Sequence, residues 1–114
     1  MANTKAYAAT APDSGLAPYA IDRRELRADD VAIEIDYCGV CHSDLHFVDG
    51  LYSMDTPAVL GHEGAGVVEG VGSQVTLFEP GDRVIMCLSV FCGICERCTT
   101  GRPVLCTRTG LIRG

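Results

Sequence analysis

Four cysteines late in the chain constrain its folding more than any other feature. They follow a C-x2-C-x2-C-x7-C spacing and stand at Cys92, Cys95, Cys98 and Cys106. Short gaps let neighbouring thiolates turn toward one ion, and zinc takes four such ligands as a tetrahedron in a structural site. The spacing therefore predicts a structural-zinc segment over residues 92–106, which we call the cysteine lobe.

Two other interpretations of these cysteines remain open from the residues alone. The thiols could form disulfides or fill a core, or they could hold an iron–sulfur cluster. Bacterial ferredoxin sequences close with C-x3-C-P, whereas seven residues separate Cys98 from Cys106 and Thr107 follows. The regular spacing favours zinc over both alternatives.

Length and charge limit the remaining possibilities. The chain has 114 residues, 47% of them hydrophobic, which is typical of one globular domain. Its net charge of −6 disfavours nucleic acid and anionic membranes as partners. Met1–Ala20 lacks the charged start and apolar core of a signal peptide. Seven cysteines without such a signal predict a reducing, cytoplasmic location.

Short segments separated by turns predict a mainly β fold with short helices only, as a small barrel or sandwich. Val31–Tyr37 alternates, so we expect Ile35 and Tyr37 on its buried face. The predicted strands are Lys5–Ala8, Tyr19–Asp22, Val31–Tyr37 and Arg83–Leu88, with bent glycine-rich strands over Ala58–Val75 and a short helix within Val40–Val48.

The three histidines lie in two short segments, Cys41–His46 and Gly61–Glu63. His42 and His46 form an H-x3-H pair, but Ser43 stands where a metalloprotease has its glutamate base. Alternatively, Cys41 and His62 are two ligands of a metal site with one position open for water or substrate. A buried thiol and a histidine with a purely structural role remain the third interpretation.

These motifs together resemble the zinc-dependent medium-chain alcohol dehydrogenases along nearly the whole chain. The matching segments are Gly39–His46, Gly61–Glu63, Gly81–Val84 and the cysteine lobe. The resemblance implies a GroES-like, partly open β-barrel over residues 1–114, truncated before the nucleotide-binding domain. It also implies hydride transfer between a primary alcohol or aldehyde and NAD or NADP, by a protein that is a homo-oligomer when complete.

The resemblance assigns two zinc sites. Cys41 and His62 would hold the catalytic zinc, with Glu63 as a carboxylate that approaches the metal. The four cysteines of the cysteine lobe would hold the structural zinc. The catalytic zinc would lower the alcohol pKa, so that an alkoxide forms and hydride leaves to the nicotinamide.

The resemblance also assigns the polar residues around the catalytic zinc. Asp44 would hydrogen-bond a ligand histidine and fix its ring. Ser43 would take the alcohol proton and pass it toward His46 and solvent. His42 would lie near the pyrophosphate of the nicotinamide cofactor.

The chain departs from the family pattern in its ligands and its cofactor domain. The family's third catalytic ligand, a later cysteine, is absent, and we expect Cys38 and Cys87 to be core thiols rather than replacements. Gly64–Gly70 mimics a dinucleotide fingerprint, but Gly72 and Pro80 come too soon for the helix that should follow. We therefore expect strands there.

The subfamily signals are mixed. The segment through Phe47 resembles the cinnamyl-alcohol and aldehyde-reductase branch, whereas Pro57–Gly114 resembles another bacterial branch. We expect a catalytic-domain piece that has no appreciable turnover alone. The alternative is a non-catalytic, zinc-stabilised module that acts by binding or oligomerising.

Overall fold

The computed structural model describes residues 3–88 and 90–108, and most of its elements are short strands. The predicted domain end at Gly114 lies outside the described residues. The strands are β1 (Asn3–Ala9), β2 (Ala17–Asp22), β3 (Val31–Gly39), β4 (Ala58–Val59), β5 (Glu63–Val71) and β6 (Arg83–Ile85). The helices are α1 (His42–Val48) and α2 (Glu96–Thr99), followed by a 3-10 turn at Pro103–Leu105.

The described strands form two antiparallel sheets that do not close on each other. One has the order β2-β1-β4 and the other β3-β5-β6. In the second sheet, Val31 lies opposite Val71 at one end and Gly39 lies opposite Glu63 at the other. This register places the end of β3 beside the start of β5, although residues 40–62 separate them along the chain.

The inward face of β5 is built from small residues. Gly64, Gly66 and Val68 are buried, and they alternate with more exposed neighbours. A Cβ atom at Gly66 would overlap the carbonyl oxygen of Glu34 on β3, so glycine allows the two strands to approach closely. Ala8 and Ala9 of β1 are also buried. The predicted glycine-rich strand is confirmed, and Gly64–Gly70 lies within it rather than in a dinucleotide-binding turn.

The predicted buried face of β3 is wrong at its second half. The register shifts between Ala32 and Ile33 and again between Ile35 and Tyr37. The second shift leaves an extra residue, Asp36, on β3, and this changes the face that later β3 side chains occupy. Tyr37, beyond this shift, is 79% exposed. Ile35 lies before it, opposite Gly66, which has no side chain to cover it, and Ile35 is 49% exposed.

The last strand is shorter than predicted. Pairing with β5 defines β6 only as far as Ile85, although the Met86 N–H still donates to the Gly64 carbonyl at 2.8 Å. Beyond this bond the chain leaves the sheet toward the cysteine lobe. No helix among the described residues has the length and apolar character needed to cross a membrane.

Candidate metal centres

Cys41 lies at the point where α1 begins, just beyond the end of β3. Its N–H donates to Asp44 Oδ2 at 3.2 Å, and its carbonyl accepts the Asp44 N–H at 3.0 Å. This reciprocal pairing satisfies backbone groups of the first helical turn and holds that turn in place. The Ser43 hydroxyl lies 3.2 Å from the Cys41 sulfur. The thiol is thus held at the end of the sheet by its own helix.

His62 immediately precedes β5, and the β3–β5 register brings it next to Cys41. Its Nδ1 lies 3.4 Å from Oδ1 of Asp44, a carboxylate that is almost fully buried. A carboxylate beside Nδ1 orients the ring and leaves Nε2 available to an ion. Ligand atoms of Cys41, His62 and Glu63 all lie within 4.8 Å of one another. We call these three residues the Cys41 cluster.

The electrostatics of the Cys41 cluster shift the pKa values of its thiol and its imidazole in opposite directions. The Ser43 hydroxyl, the Ser43 N–H and His62 lower the pKa of Cys41. The Cys41 sulfur, followed by the charge of Asp44, raises the pKa of His62. A divalent ion needs the thiolate and the neutral imidazole, so it would compete with protons for both groups. The donor set fits zinc, which binds cysteine, histidine and carboxylate ligands.

The cysteine lobe brings its four sulfur atoms together. Cys92 and Cys98 sulfurs are 3.9 Å apart, Cys95 and Cys98 sulfurs 3.5 Å, and Cys95 and Cys106 sulfurs 3.9 Å. A tetrahedron with zinc–sulfur bonds near 2.3 Å requires sulfur–sulfur distances of about 3.8 Å. The described cysteines form no disulfide bonds. This geometry fits a single tetrahedral ion and does not fit the disulfide interpretation.

Turns and backbone donors shape the cysteine lobe. Gly93 and Gly101 have φ values of +76° and +82°, which glycine adopts without strain. The N–H of Cys95 donates to the Cys92 sulfur at 3.3 Å, and the N–H of Cys92 donates to the Cys106 sulfur at 3.4 Å. Donors of this kind stabilise thiolates, which are the metal-binding form of cysteine. The lobe is therefore arranged around its sulfurs.

Comparison with known proteins decides the family. Residues 27–114 match the alcohol dehydrogenase GroES-like domain. The chain belongs to this family. NADP-dependent alcohol dehydrogenase C 1 of Mycolicibacterium smegmatis is 42% identical over 114 residues, which cover 98% of this chain and 33% of that protein. Cinnamyl alcohol dehydrogenase 8 of Arabidopsis thaliana is 41% identical over 109 residues, 92% of this chain and 30% of that protein.

A solved structure extends the comparison to the GroES-like fold. A cinnamyl alcohol dehydrogenase from Sorghum bicolor superposes with a TM-score of 0.83 at 37% identity, over 96% of this chain and 32% of that chain. The predicted mainly β, partly open GroES-like architecture is confirmed, as is the resemblance to the zinc-type alcohol dehydrogenases. This chain spans about a third of the length of the curated relatives that it matches.

The two histidines on α1, His42 and His46, pack against each other through their rings. The His42 and His46 ring centroids are 4.6 Å apart, and the Tyr52 ring packs edge-on to His46 at 4.9 Å. Nδ1 of His46 is buried without a hydrogen-bond partner among the described residues; Asp49 Oδ2 is 4.0 Å away. No sequence pattern marks Tyr52, and only the fold brings it to this histidine.

The two remaining cysteines of the GroES-like domain are not core thiols. Cys38 and Cys87 are both exposed, so that prediction is wrong. Cys38 lies on the irregular end of β3, where the second register shift has already disturbed the alternation, and Cys87 follows the end of β6. Neither thiol joins a group of three or more possible metal ligands within the described part of the chain.

Proposed function

We propose that this GroES-like domain belongs to the catalytic domain of a zinc-dependent alcohol dehydrogenase. The complete enzyme would transfer hydride between a primary alcohol or aldehyde and NAD or NADP. The observation that carries the proposal is the Cys41 cluster, a second group of metal-binding side chains outside the cysteine lobe. The names of the relatives, an NADP-dependent alcohol dehydrogenase and a cinnamyl alcohol dehydrogenase, support the same reaction class.

The two clusters would have different tasks. The cysteine lobe over residues 92–106 would hold a structural zinc, and Cys41, His62 and Glu63 would hold the catalytic zinc. The catalytic zinc, when bound, supplies Lewis acidity that lowers the pKa of an alcohol. The Ser43 hydroxyl, 3.2 Å from the Cys41 sulfur, could handle a proton, and the imidazoles of His42 and His46 lie on the same helix. The proposal therefore places the chemistry at the Cys41 cluster.

The neighbouring side chains would orient ligands and move the proton. Asp44, 3.4 Å from His62 Nδ1, would hold that ring with Nε2 toward the metal. Ser43 would accept the alcohol proton and pass it toward His46, which lies one helical turn further on the same side of α1. His42 would face the cofactor pyrophosphate. The complete protein would be a cytoplasmic homo-oligomer.

Metal stoichiometry tests the proposal on the chain itself. We expect native mass spectrometry of the purified, desalted chain to show one tightly held zinc, with a second bound when zinc is supplied in excess. C98A should lose the tight zinc, because it removes one of four thiolates, whereas C41A should lose only the second. Iron, or no zinc at all, would contradict the assignment of the cysteine lobe. One zinc at every concentration would favour the non-catalytic module.

A further inference from the structure

The side chain of Glu63 lies across a glycine on the neighbouring strand. Gly39 is the last residue of β3 and pairs directly with Glu63, the first residue of β5. A Cβ atom added at Gly39 would overlap Glu63 Oε2 and would lie 3.0 Å from Glu63 Cβ and 3.3 Å from Cδ. The glutamate therefore occupies the space that any other side chain at position 39 would fill.

Space is the reason for glycine at this position, because the backbone does not demand it. The described glycines with positive φ are Gly15, Gly50, Gly61, Gly81, Gly93 and Gly101, and Gly39 is not among them. Alanine could adopt the backbone of Gly39, but its methyl group would meet the glutamate. A substitution at Gly39 thus tests the position of the glutamate side chain rather than the backbone conformation of β3.

Because the Glu63 side chain passes over Gly39, the space at Gly39 determines the position of the Glu63 carboxylate. Glu63 is an exposed residue at the end of a sheet, where a long charged side chain ordinarily extends into water. Here one carboxylate oxygen lies within 4.8 Å of the ligand atoms of both Cys41 and His62. A side chain at position 39 would block this path and turn the carboxylate away.

We propose that Gly39 is a positioning residue for the metal site, and that its missing side chain lets the Glu63 carboxylate reach an ion held by Cys41 and His62. This inference rests on the proposed function, because it needs the Cys41 cluster to bind a metal. It adds to that function a residue that has no ligand atom of its own. Gly39 acts only through Glu63, so the effects of changing both residues should not add.

Cobalt titration measures this dependence directly. The chain is first loaded with one equivalent of zinc to fill the cysteine lobe, and Co²⁺ is then followed by its thiolate charge-transfer absorption. C41A, which should be silent, identifies the signal as that of the Cys41 cluster. The variants are G39A, E63G and G39A/E63G, since E63G removes the three nearest atoms that a Cβ at position 39 would meet. G70A is the matched control, because its Cβ would meet only Leu26 Cδ2, at an ordinary 3.9 Å.

We expect G39A to weaken Co²⁺ binding by about tenfold or more, the range found when residues that support metal ligands are changed. E63G should weaken binding to a similar extent, and the double variant should bind no more weakly than E63G within about twofold, as expected of residues that act as one unit. G70A should bind as the parent chain does. The shape of the absorption spectrum should change in G39A and E63G alike, which a general loss of stability would not produce.

The possible failures are distinguishable. Equal cobalt affinity in the parent chain and G39A would overturn the role of Gly39 and leave the proposed function intact. No cobalt signal at the Cys41 cluster of the parent chain would overturn the proposed metal site and the inference together. If G39A does not fold, circular dichroism of G39A/E63G decides. Recovered folding would support the clash with Glu63, and continued unfolding would show that Gly39 serves the fold alone.

Discussion

Gly61 shows how closely a single residue is tied to the candidate site. It immediately precedes His62, and its φ of +116° lies where side-chain-bearing residues are strained. A Cβ atom there would also lie 2.8 Å from the Cys38 sulfur, which is too close for any real contact. Backbone and space therefore both require glycine, in contrast to Gly39, where space alone requires it.

G61A should destabilise the chain by more than about 1 kcal/mol, because alanine is strained at positive φ and its methyl group meets a sulfur. G50A is the matched control, since Gly50 has a φ of +83° but open space around it. The difference between the two variants in urea denaturation measures the cost of the Cys38 contact. Equal losses of unfolding free energy in both variants would show that this contact has no energetic weight.

Among the elements, the cysteine lobe has little apolar packing of its own. Its hydrophobic side chains point outward, with Ile94 69% exposed and Val104 78% exposed. Its two regular pieces are α2 and the 3-10 turn, of four and three residues. Elements this short are not stable on their own. Ligation of the sulfurs, rather than a core, must therefore supply most of the stability of this lobe.

The metal-free lobe should have a distinctive pH dependence. Backbone donors from Cys98 and Thr107 lower the pKa of Cys95 from 9.0 to about 7, so its contribution to stability is lost as pH falls from 9 to 7. Partial burial raises the pKa of Cys98 to about 11, so its contribution is lost as pH rises from 9 to 11. The contribution of these two thiols to the stability of the reduced, metal-free chain should therefore be largest near pH 9.

Denaturation of the reduced chain in the presence of a chelator, between pH 7 and pH 11, checks this expectation. C95S should remove the rise between pH 7 and 9, and C98S should remove the fall above pH 9. The zinc-loaded chain serves as the reference, because ligated thiolates no longer take up protons in this range. A profile that neither variant alters would contradict the assignment of these two thiols.

At the scale of the whole molecule, this chain spans 33% of an alcohol dehydrogenase to which it is similar. The one segment that mimics a dinucleotide fingerprint, Gly64–Gly70, lies inside β5, where it pairs with β3 and, over residues 65–67, also with β6. Its backbone N–H groups are directed toward neighbouring strands. A true fingerprint instead binds phosphate with free N–H groups at the N-terminus of a helix. The described residues therefore offer no dinucleotide site of that kind.

We accordingly expect the 114-residue chain to show no appreciable aldehyde reduction with NADH or NADPH. The measurement is nicotinamide absorbance over time, with cinnamaldehyde and benzaldehyde as substrates and with the zinc content of the chain determined beforehand. Loss of signal at an ordinary enzymatic rate, proportional to chain concentration and absent in C41A, would contradict this expectation. It would mean that the GroES-like domain binds cofactor unaided.

Features that depend on local order in the chain could be predicted from the sequence. Three such features depend on residues within a few positions of one another. They are the short helix at His42–Val48, the glycine-rich strand and the grouping of the four cysteines. The resemblance also pointed to the members of the Cys41 cluster, because residue types that can bind a metal are read directly from the sequence. The helix and strand predictions succeeded because backbone preferences act over short distances, whereas the ligand assignments stay predictions.

Only the tertiary structure decided how distant segments meet. The register of β3 against β5 sets Gly39 opposite Glu63 and brings Cys41 to His62, and no local pattern specifies that register. The same irregular pairing exposes Tyr37 and Cys38, both of which were expected inside. Register and bulges are set by packing between strands far apart in the sequence. The chain alone therefore determined which groups are available, and the sheet determined which of them lie within reach of one ion.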